Sequence, residues 1–124
     1  MHLLGIDEIT FGATDLARCR QFFLDWGLRL VDEGPQLLVY ESLNGCRVRV
    51  AHADLPGLPP GIEADPTLRE VIWGVADAQT LATLGARLAD QPGFVQDGQR
   101  VGCQDPNGLA LRLQVTRKRA LDLP

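Results

Sequence analysis

Two acids and two arginines occupy matching places in the two halves of the sequence. Glu8 of the first half corresponds to Glu70 of the second, and Arg49 corresponds to Arg112 at nearly the same offset. A carboxylate can ligate a metal ion or pair with a guanidinium, whereas a guanidinium stays protonated at physiological pH and has no lone pair to offer a metal. If the four side chains meet, we therefore expect ion pairing among them, or the binding of an anionic ligand by an arginine that remains free.

The surroundings of these residues are repeated as well. The segment 8–15, Glu-Ile-Thr-Phe-Gly-Ala-Thr-Asp, matches the segment 70–77, Glu-Val-Ile-Trp-Gly-Val-Ala-Asp, at its first acid, its glycine and its final aspartate. The segment 44–49 matches 107–112, since each begins with Asn-Gly and ends with arginine. Two matches in the same order and at nearly the same offset indicate a duplicated module.

Hydropathy patterns predict the same order of elements in both halves. Apolar runs with β-branched residues favour strands, an apolar period of three to four residues favours a helix, and an Asp or Thr before each helix favours an N-cap. The predicted elements of the first half are a strand at 6–13, a helix that ends at Gly27, and strands at 28–31, 37–41 and 46–51. Those of the second half are a strand at 68–76, a helix after Asp77, and strands at 94–95, 100–103 and 109–115.

The predicted fold is α+β, with one domain, residues 1–124, built from two tandem βαβββ modules. The modules span about 5–52 and 67–116, with a Pro- and Gly-rich linker at 53–66 and a tail at 117–124. Neither half is large enough to bury its sheet face alone. We therefore expect both halves to curve into one incomplete eight-stranded barrel, or cup, with the helices outside.

The composition disfavours several classes of function. The net charge of −4 argues against a nucleic-acid surface, and the basic cluster at 117–119 is expected to be a solvated chain end. No apolar run is long enough for a membrane span, and the start lacks the pattern of a signal peptide, so a cytoplasmic protein is expected. The widely spaced Cys19, Cys46 and Cys103 indicate small buried side chains, and neither a disulfide framework nor a zinc site.

With these elements in order, the sequence resembles the vicinal oxygen chelate superfamily, which includes glyoxalase I, bleomycin-resistance proteins and extradiol ring-cleaving dioxygenases. The resemblance rests on a strand followed by Asp-Leu-Ala-Arg-Cys-Arg-Gln-Phe-Phe-Leu-Asp-Trp-Gly-Leu at 15–28, and on the Asp-Pro-Asn-Gly turn at 105–108 before the final strand. It extends over both modules, from Ile6 to Val115, and points most to the N-terminal module pair of an extradiol dioxygenase.

The resemblance implies a divalent metal, such as iron, manganese, nickel or zinc, held in the cup by His, Gln or Glu of the first and last strands. In this chain the corresponding places are taken by Glu8, Glu70, Arg49 and Arg112. Two of these four are arginines, which cannot ligate a metal, and His2 and His52 lie at other positions. The prediction for this chain is therefore no metal site, no catalytic residue and no cofactor.

The same four residues are instead predicted to form ion pairs that hold the cup together, or to bind an anionic or aromatic small molecule. In the second case Tyr40 and Trp73 are candidate apolar walls. If the carboxylates pair with partly buried arginines, removal of Glu8 or Glu70 is expected to cost about 3 to 5 kcal/mol of stability.

Three functions stay open at this point. The favoured one is a structural or small-ligand-binding module of a ring-cleaving dioxygenase-like protein, with the tail acting as a linker toward a further module pair. The second is a stand-alone binding protein of the bleomycin-resistance type, working as a homodimer. The third is an enzyme, either an extradiol dioxygenase or a glyoxalase-type lyase. The sequence does not identify a ligand or substrate.

Overall fold

The computed structural model describes residues 3–61, 64 and 67–121, which contain eight strands and two helices. In chain order they are β1 (Leu3–Ala13), α1 (Leu16–Trp26), β2 (Arg29–Glu33), β3 (Leu37–Glu41), β4 (Arg47–His52), β5 (Thr67–Val75), α2 (Ala78–Leu88), β6 (Val95–Gln96), β7 (Arg100–Gln104) and β8 (Ala110–Val115). This order confirms the two predicted βαβββ modules. His2, part of the predicted linker and the end of the predicted tail lie outside the described residues.

All eight strands form one sheet in the order β2-β3-β4-β1-β5-β8-β7-β6. The first module supplies one half and the second module the other, and the two halves join where β1 runs antiparallel to β5. On either side of this seam the pairing is parallel, β1 with β4 and β5 with β8. The sheet ends at β2 and β6 without closing, so the prediction of an incomplete barrel is confirmed.

Both helices pack on the same side of the sheet, and each begins at a capping aspartate. Asp15 accepts a hydrogen bond from the backbone N–H of Arg18, and Asp77 accepts one from that of Thr80. Such caps satisfy backbone donors that the first turn of a helix leaves without partners. Gly27 ends α1 in the left-handed conformation, with φ of 109°, as expected for a helix C-terminus.

Much of the core lies between the sheet and the helices, and Val39 and Ile72 are buried on the opposite face. Under α1 it consists of Ala13, Leu38, Tyr40 and Val50, against which Cys19 and Phe23 of the helix pack. Under α2, Gly85 is buried against Val101, and a side chain at this glycine would press on the valine, so the missing Cβ lets the helix approach β7 closely. Neither helix in the described part of the chain has the length and hydrophobicity that crossing a membrane requires.

Candidate functional site

The sheet surface on the side away from the helices, which we call the open face, carries charged side chains on its four central strands. Thr10 of β1 is paired with Arg49 of β4 on one side and with Glu70 of β5 on the other. Glu8 of β1 and Arg112 of β8 are both paired with Ile72 of β5, which is two residues along the strand from Glu70. Because paired residues of adjacent strands point to the same face, the four predicted residues share one surface.

On this surface each glutamate lies beside the arginine of its own module. Nη1 of Arg49 is 4.0 Å from Oε2 of Glu8, and Nε of Arg112 is 3.6 Å from Oε2 of Glu70. The glutamate side chains are 10% and 12% exposed, and the arginine side chains 30% and 18%. The structure therefore brings the predicted residues together as two separate pairs, one in each half of the sheet.

The two arginines differ in how firmly they are held. Nη1 of Arg112 donates to the backbone carbonyls of Cys103 and Leu111, and Gly102 leaves the space through which its side chain passes. Within the described residues, the guanidinium of Arg49 makes the 4.0 Å contact with Glu8 and no hydrogen bond. Of the two arginines, Arg49 is therefore the one whose guanidinium N–H groups are available to bind a ligand.

Thr10, which lies between Arg49 and Glu70 in the sheet, is 2% exposed. Its hydroxyl oxygen is buried, and no described residue gives it a hydrogen-bond partner. A buried hydroxyl without a partner is unusual, because leaving it unsatisfied costs about 1 to 3 kcal/mol. The unpaired hydroxyl and the loosely held guanidinium occupy neighbouring positions on the open face.

Several further charged residues of the open face were not predicted, among them Arg100, Asp7 and Glu41. Arg100 of β7 reaches across the seam, where its Nη2 lies 4.0 Å from Glu8 and its Nε donates to Gln114. Asp7, next to Glu8, is 3% exposed, and its carboxylate accepts hydrogen bonds from Gln114 and Thr116. A register shift between Ile6 and Glu8 interrupts the pairing of β1 with β5 at Asp7.

Glu41, the third of these residues, is surrounded by guanidinium groups. It is 8% exposed, and Arg119 donates to it at 2.9 Å, Arg47 at 3.2 Å and Arg29 at 3.4 Å. The hydrogen bond from Arg119 is the main cause that holds the pKa of Glu41 below its ordinary value. This cluster lies beside Glu8, because Arg47 of β4 is paired with Glu8 on one side and with Glu41 on the other.

The two predicted aromatic walls lie on the other side of the sheet. Tyr40 is fully buried against Phe23 of α1, its hydroxyl donates to the carbonyl of Arg20, and burial raises its pKa. Trp73 lines an apolar cavity of about 440 Å³ next to Leu84 and other residues of α2. The structure does not bring either ring to the four charged residues.

Metal-ligating side chains do not gather on this face. Among the described residues, no three His, Cys, Asp or Glu side chains lie close enough together to hold a metal ion. His52 is at the end of β4, where its Nδ1 accepts a hydrogen bond from the backbone N–H of Asp54. Cys19, Cys46 and Cys103 are free thiols, and burial raises the pKa of the first two.

Solved structures of similar shape include a glyoxalase and extradiol dioxygenases, whereas no family model matches the sequence. The Mn(II)-bound glyoxalase from Novosphingobium aromaticivorans has a TM-score of 0.70 at 19% identity, over 99% of this chain and 43% of its own. An extradiol ring-cleaving dioxygenase from B. fuscum has a TM-score of 0.69 at 15% identity, over 96% and 34%. Homoprotocatechuate 2,3-dioxygenase from Arthrobacter globiformis has a TM-score of 0.68 at 15% identity, over 98% and 38%.

One sequence relative is more similar but over a shorter stretch. A flavin-dependent thymidylate synthase of Mycobacterium marinum is 39% identical over 69 residues, which are 48% of this chain and 28% of that protein. This chain therefore spans 28% of that relative and less than half of each of the three solved structures. At 15 to 19% identity, the structural matches establish a shared fold.

Proposed function

Because the chain has the paired-module fold of the vicinal oxygen chelate superfamily, we propose that it uses this fold without a metal, to bind small molecules that carry a carboxylate group. The binding surface is the open face around Arg49 and Thr10. On this proposal the chain is a small-ligand-binding module and is not an enzyme by itself. The carboxylate of the ligand occupies the part of the open face where a metal and the substrate oxygens that it chelates would otherwise lie.

The observation that carries this proposal is the unpaired hydroxyl of Thr10 beside the loosely held guanidinium of Arg49. Adjacent strands are about 4.8 Å apart, so a carboxylate held by Arg49 lies beside Thr10 and can accept a hydrogen bond from its buried hydroxyl once the side chains that cover it move aside. Arg matches a carboxylate in a planar geometry, and hydrogen bonds to a charged group are about twice as strong as neutral ones. A bound carboxylate would thus supply the partner that the Thr10 hydroxyl lacks.

The residues of the open face do not fit the divalent metal that the fold family implies. Arg49 and Arg112 stand at two of the implied ligand places and cannot donate an electron pair. Each glutamate at the other two places has a guanidinium within 4.0 Å. A divalent cation bound to either carboxylate would therefore face a fixed positive charge at close range. We assign no reaction step that depends on a metal.

Calorimetric titration with benzoate and phenylacetate, each compared with its uncharged methyl ester, tests the proposal. We expect the acids to bind and the esters to bind at least about tenfold more weakly, because a charged hydrogen bond contributes about 1.5 to 3 kcal/mol. Metal content of the purified protein is measured in parallel. Stoichiometric iron, manganese, nickel or zinc would overturn the metal-independent part of the proposal.

Two variants locate the site, and one serves as a control. Arg49→Met is expected to weaken binding of the acids about tenfold or more, whereas Arg20→Met, which removes a guanidinium from an exposed pair with Glu33, leaves it unchanged. Thr10→Val keeps the shape of the side chain and removes a hydroxyl that has no partner among the described residues. It should weaken binding without lowering stability, and a loss of stability above about 1 kcal/mol would show that the hydroxyl is already satisfied.

A structural role within a longer protein is the second candidate. It is favoured by the observation that this chain covers only 34 to 43% of the solved structures named above. On this alternative the ion pairs of the open face stabilise the module pair and no small molecule binds. If none of the acids binds while Glu70→Gln still destabilises the protein, the structural role is supported and ligand binding is excluded.

A further inference from the structure

The segment that follows the last strand remains attached to the sheet. Residues 116–119, which we call the clasp, continue past β8 and cross the seam to the first module. The backbone N–H of Thr116 donates to the carbonyl of Val75 in β5, and that of Arg117 donates to Asp7 in β1. The backbone N–H of Arg119 donates to the carbonyl of Asn44, in the turn between β3 and β4. Residues 117–119 are therefore not the free chain end that their charge suggested, although Arg117 and Arg119 remain exposed to solvent.

The clasp is anchored by two buried carboxylates of the first module. Asp7 accepts from the Thr116 hydroxyl and the Arg117 N–H, each at 2.8 Å, and Nζ of Lys118 lies 4.0 Å away. Glu41 accepts from Nη2 of Arg119 at 2.9 Å. Since buried carboxylates need hydrogen-bond partners, the clasp completes the set that Gln114 provides for Asp7 and that Arg29 and Arg47 provide for Glu41.

The surface under the clasp is shaped for it by glycines. A Cβ at Gly74 would collide with the Asp7 carboxylate and lie 2.9 Å from Thr116. A Cβ at Gly5 would be 2.9 Å from Nζ of Lys118, and one at Gly45 would be 3.0 Å from Nη1 of Arg119. Gly74 is therefore the glycine that the attachment of the clasp requires, because side chains at Gly5 and Gly45 would press only on the flexible ends of Lys118 and Arg119.

The clasp also encloses one end of the open face. A small polar cavity of about 90 Å³ is lined by Glu8, Arg47 and Gln114 of the sheet and by Arg117 and Arg119 of the clasp. We propose that the clasp is a closure that binds the first module to the second and restricts access to the open face from this end. Its attachment goes beyond the proposed ligand binding, and only the control of access rests on that function.

Hydrogen exchange and limited proteolysis test the attachment without any ligand. In the unmodified protein the amides of Arg117 and Arg119 should exchange more slowly than expected for an unstructured peptide, because both are hydrogen-bonded. Trypsin can cut after residues 117, 118 and 119, and intact-mass spectrometry follows cleavage at these sites. Exchange at the unstructured rate, or cutting at these sites before any other, would overturn the proposal.

Two variants are expected to detach the clasp by different means. Asp7→Asn removes the charged anchor, and Gly74→Ala places a methyl group under Thr116 without requiring a left-handed backbone. Both should raise the rate of tryptic cleavage in the clasp at least about tenfold, while Asp32→Asn, an exposed acid of β2, should not change it. If both folded variants retain the protection of the unmodified protein, the clasp is not held as we propose.

Arg119→Met gives a milder variant should the other two fail to fold. It removes the contacts with Glu41 and with the carbonyl of Leu43 while leaving the Asp7 anchor in place. Exchange of the Arg117 amide should rise in this variant, and an unchanged rate would contradict the role of Glu41 as an anchor. If carboxylates bind to the open face, their association rate constant should increase when the clasp is detached. If no carboxylate binds, the hydrogen-exchange and proteolysis results still test the attachment of the clasp.

Discussion

Replacing Glu70 with glutamine removes the negative charge from the Glu70–Arg112 ion pair and keeps the size of the side chain. The two charged atoms are 3.6 Å apart, and the side chains are 12% and 18% exposed. At an effective dielectric constant of about 20, the attraction over this distance is about 4 to 5 kcal/mol before desolvation is subtracted. Exposed pairs contribute up to about 1 kcal/mol, and breaking a buried pair costs about 3 to 5 kcal/mol.

Two features of the structure place Glu70→Gln between these limits. Part of each side chain remains in contact with water, and Arg112 keeps its hydrogen bonds to the carbonyls of Cys103 and Leu111 after the charge of Glu70 is lost. We therefore expect a loss of about 2 kcal/mol in the free energy of unfolding, which is less than the sequence alone suggested. The remaining hydrogen bonds limit the cost of leaving the guanidinium without its partner.

Urea denaturation at pH 7, followed by tryptophan fluorescence, measures this loss. A double-mutant cycle with Arg112→Met should give a coupling energy of about 1 to 2 kcal/mol, because the two residues are in direct contact. Glu33→Gln is the matched control, since Glu33 pairs with Arg20 at the surface, where the side chains are 49% and 40% exposed. If Glu70→Gln shifts the denaturation midpoint no more than Glu33→Gln does, the pair on the open face does not stabilise the fold.

Three other variants test the packing and the charges around the site. Gly102→Ala should cost about 1 to 3 kcal/mol in urea denaturation, because its Cβ would collide with a neighbouring carbonyl, whereas Gly98→Ala, with nothing within 4 Å, should stay within about 0.5 kcal/mol of the unmodified protein. Tyr40→Phe should cost about 1 kcal/mol in the same assay through the lost hydrogen bond, and no loss would mean that water replaces it. The pKa of Glu41 is lowered in the folded protein by the hydrogen bond from Arg119, so its stabilisation is present above the ordinary value of 4.5 and is lost as pH falls through the lower folded value. Glu41→Gln should therefore lose less stability than the unmodified protein as the pH falls through this range, and parallel pH profiles would contradict this assignment.

The repeat in the sequence was sufficient to predict the fold and one set of charged residues. Residues at equivalent places in two modules lie on equivalent strands, so Glu8 and Glu70, or Arg49 and Arg112, had to share a face once the modules joined edge to edge. The alternation of side chains along a strand then placed them opposite the helices. Pairing within each module, rather than across the seam, depended on side-chain geometry that the pattern does not contain.

The remaining residues of the site break the symmetry of the repeat, which explains why the sequence did not reveal them. At the offset that relates Arg49 to Arg112, Arg100 corresponds to Leu37 and Glu41 corresponds to Gln104, so neither has a charged counterpart in the other module. Asp7 faces its partners because of a register shift in β1, and the local pattern of polar and apolar residues does not predict this shift. Tyr40 was predicted as a possible wall, but the alternation along β3 puts its ring under α1.

The anchoring of Asp7 has a consequence for how the protein folds. Its carboxylate is satisfied by the side chains of Gln114 and Thr116 and by the backbone of Arg117, which are far away in the sequence. During synthesis the first module therefore emerges with an acid that has no permanent partner, and the buried arrangement can form only when β8 and the clasp have been made. Contacts of such long sequence separation slow folding, because the loop must close before they contribute. We expect the first module to remain loosely packed until β8 joins the sheet, so that the last strand completes the structure of the first.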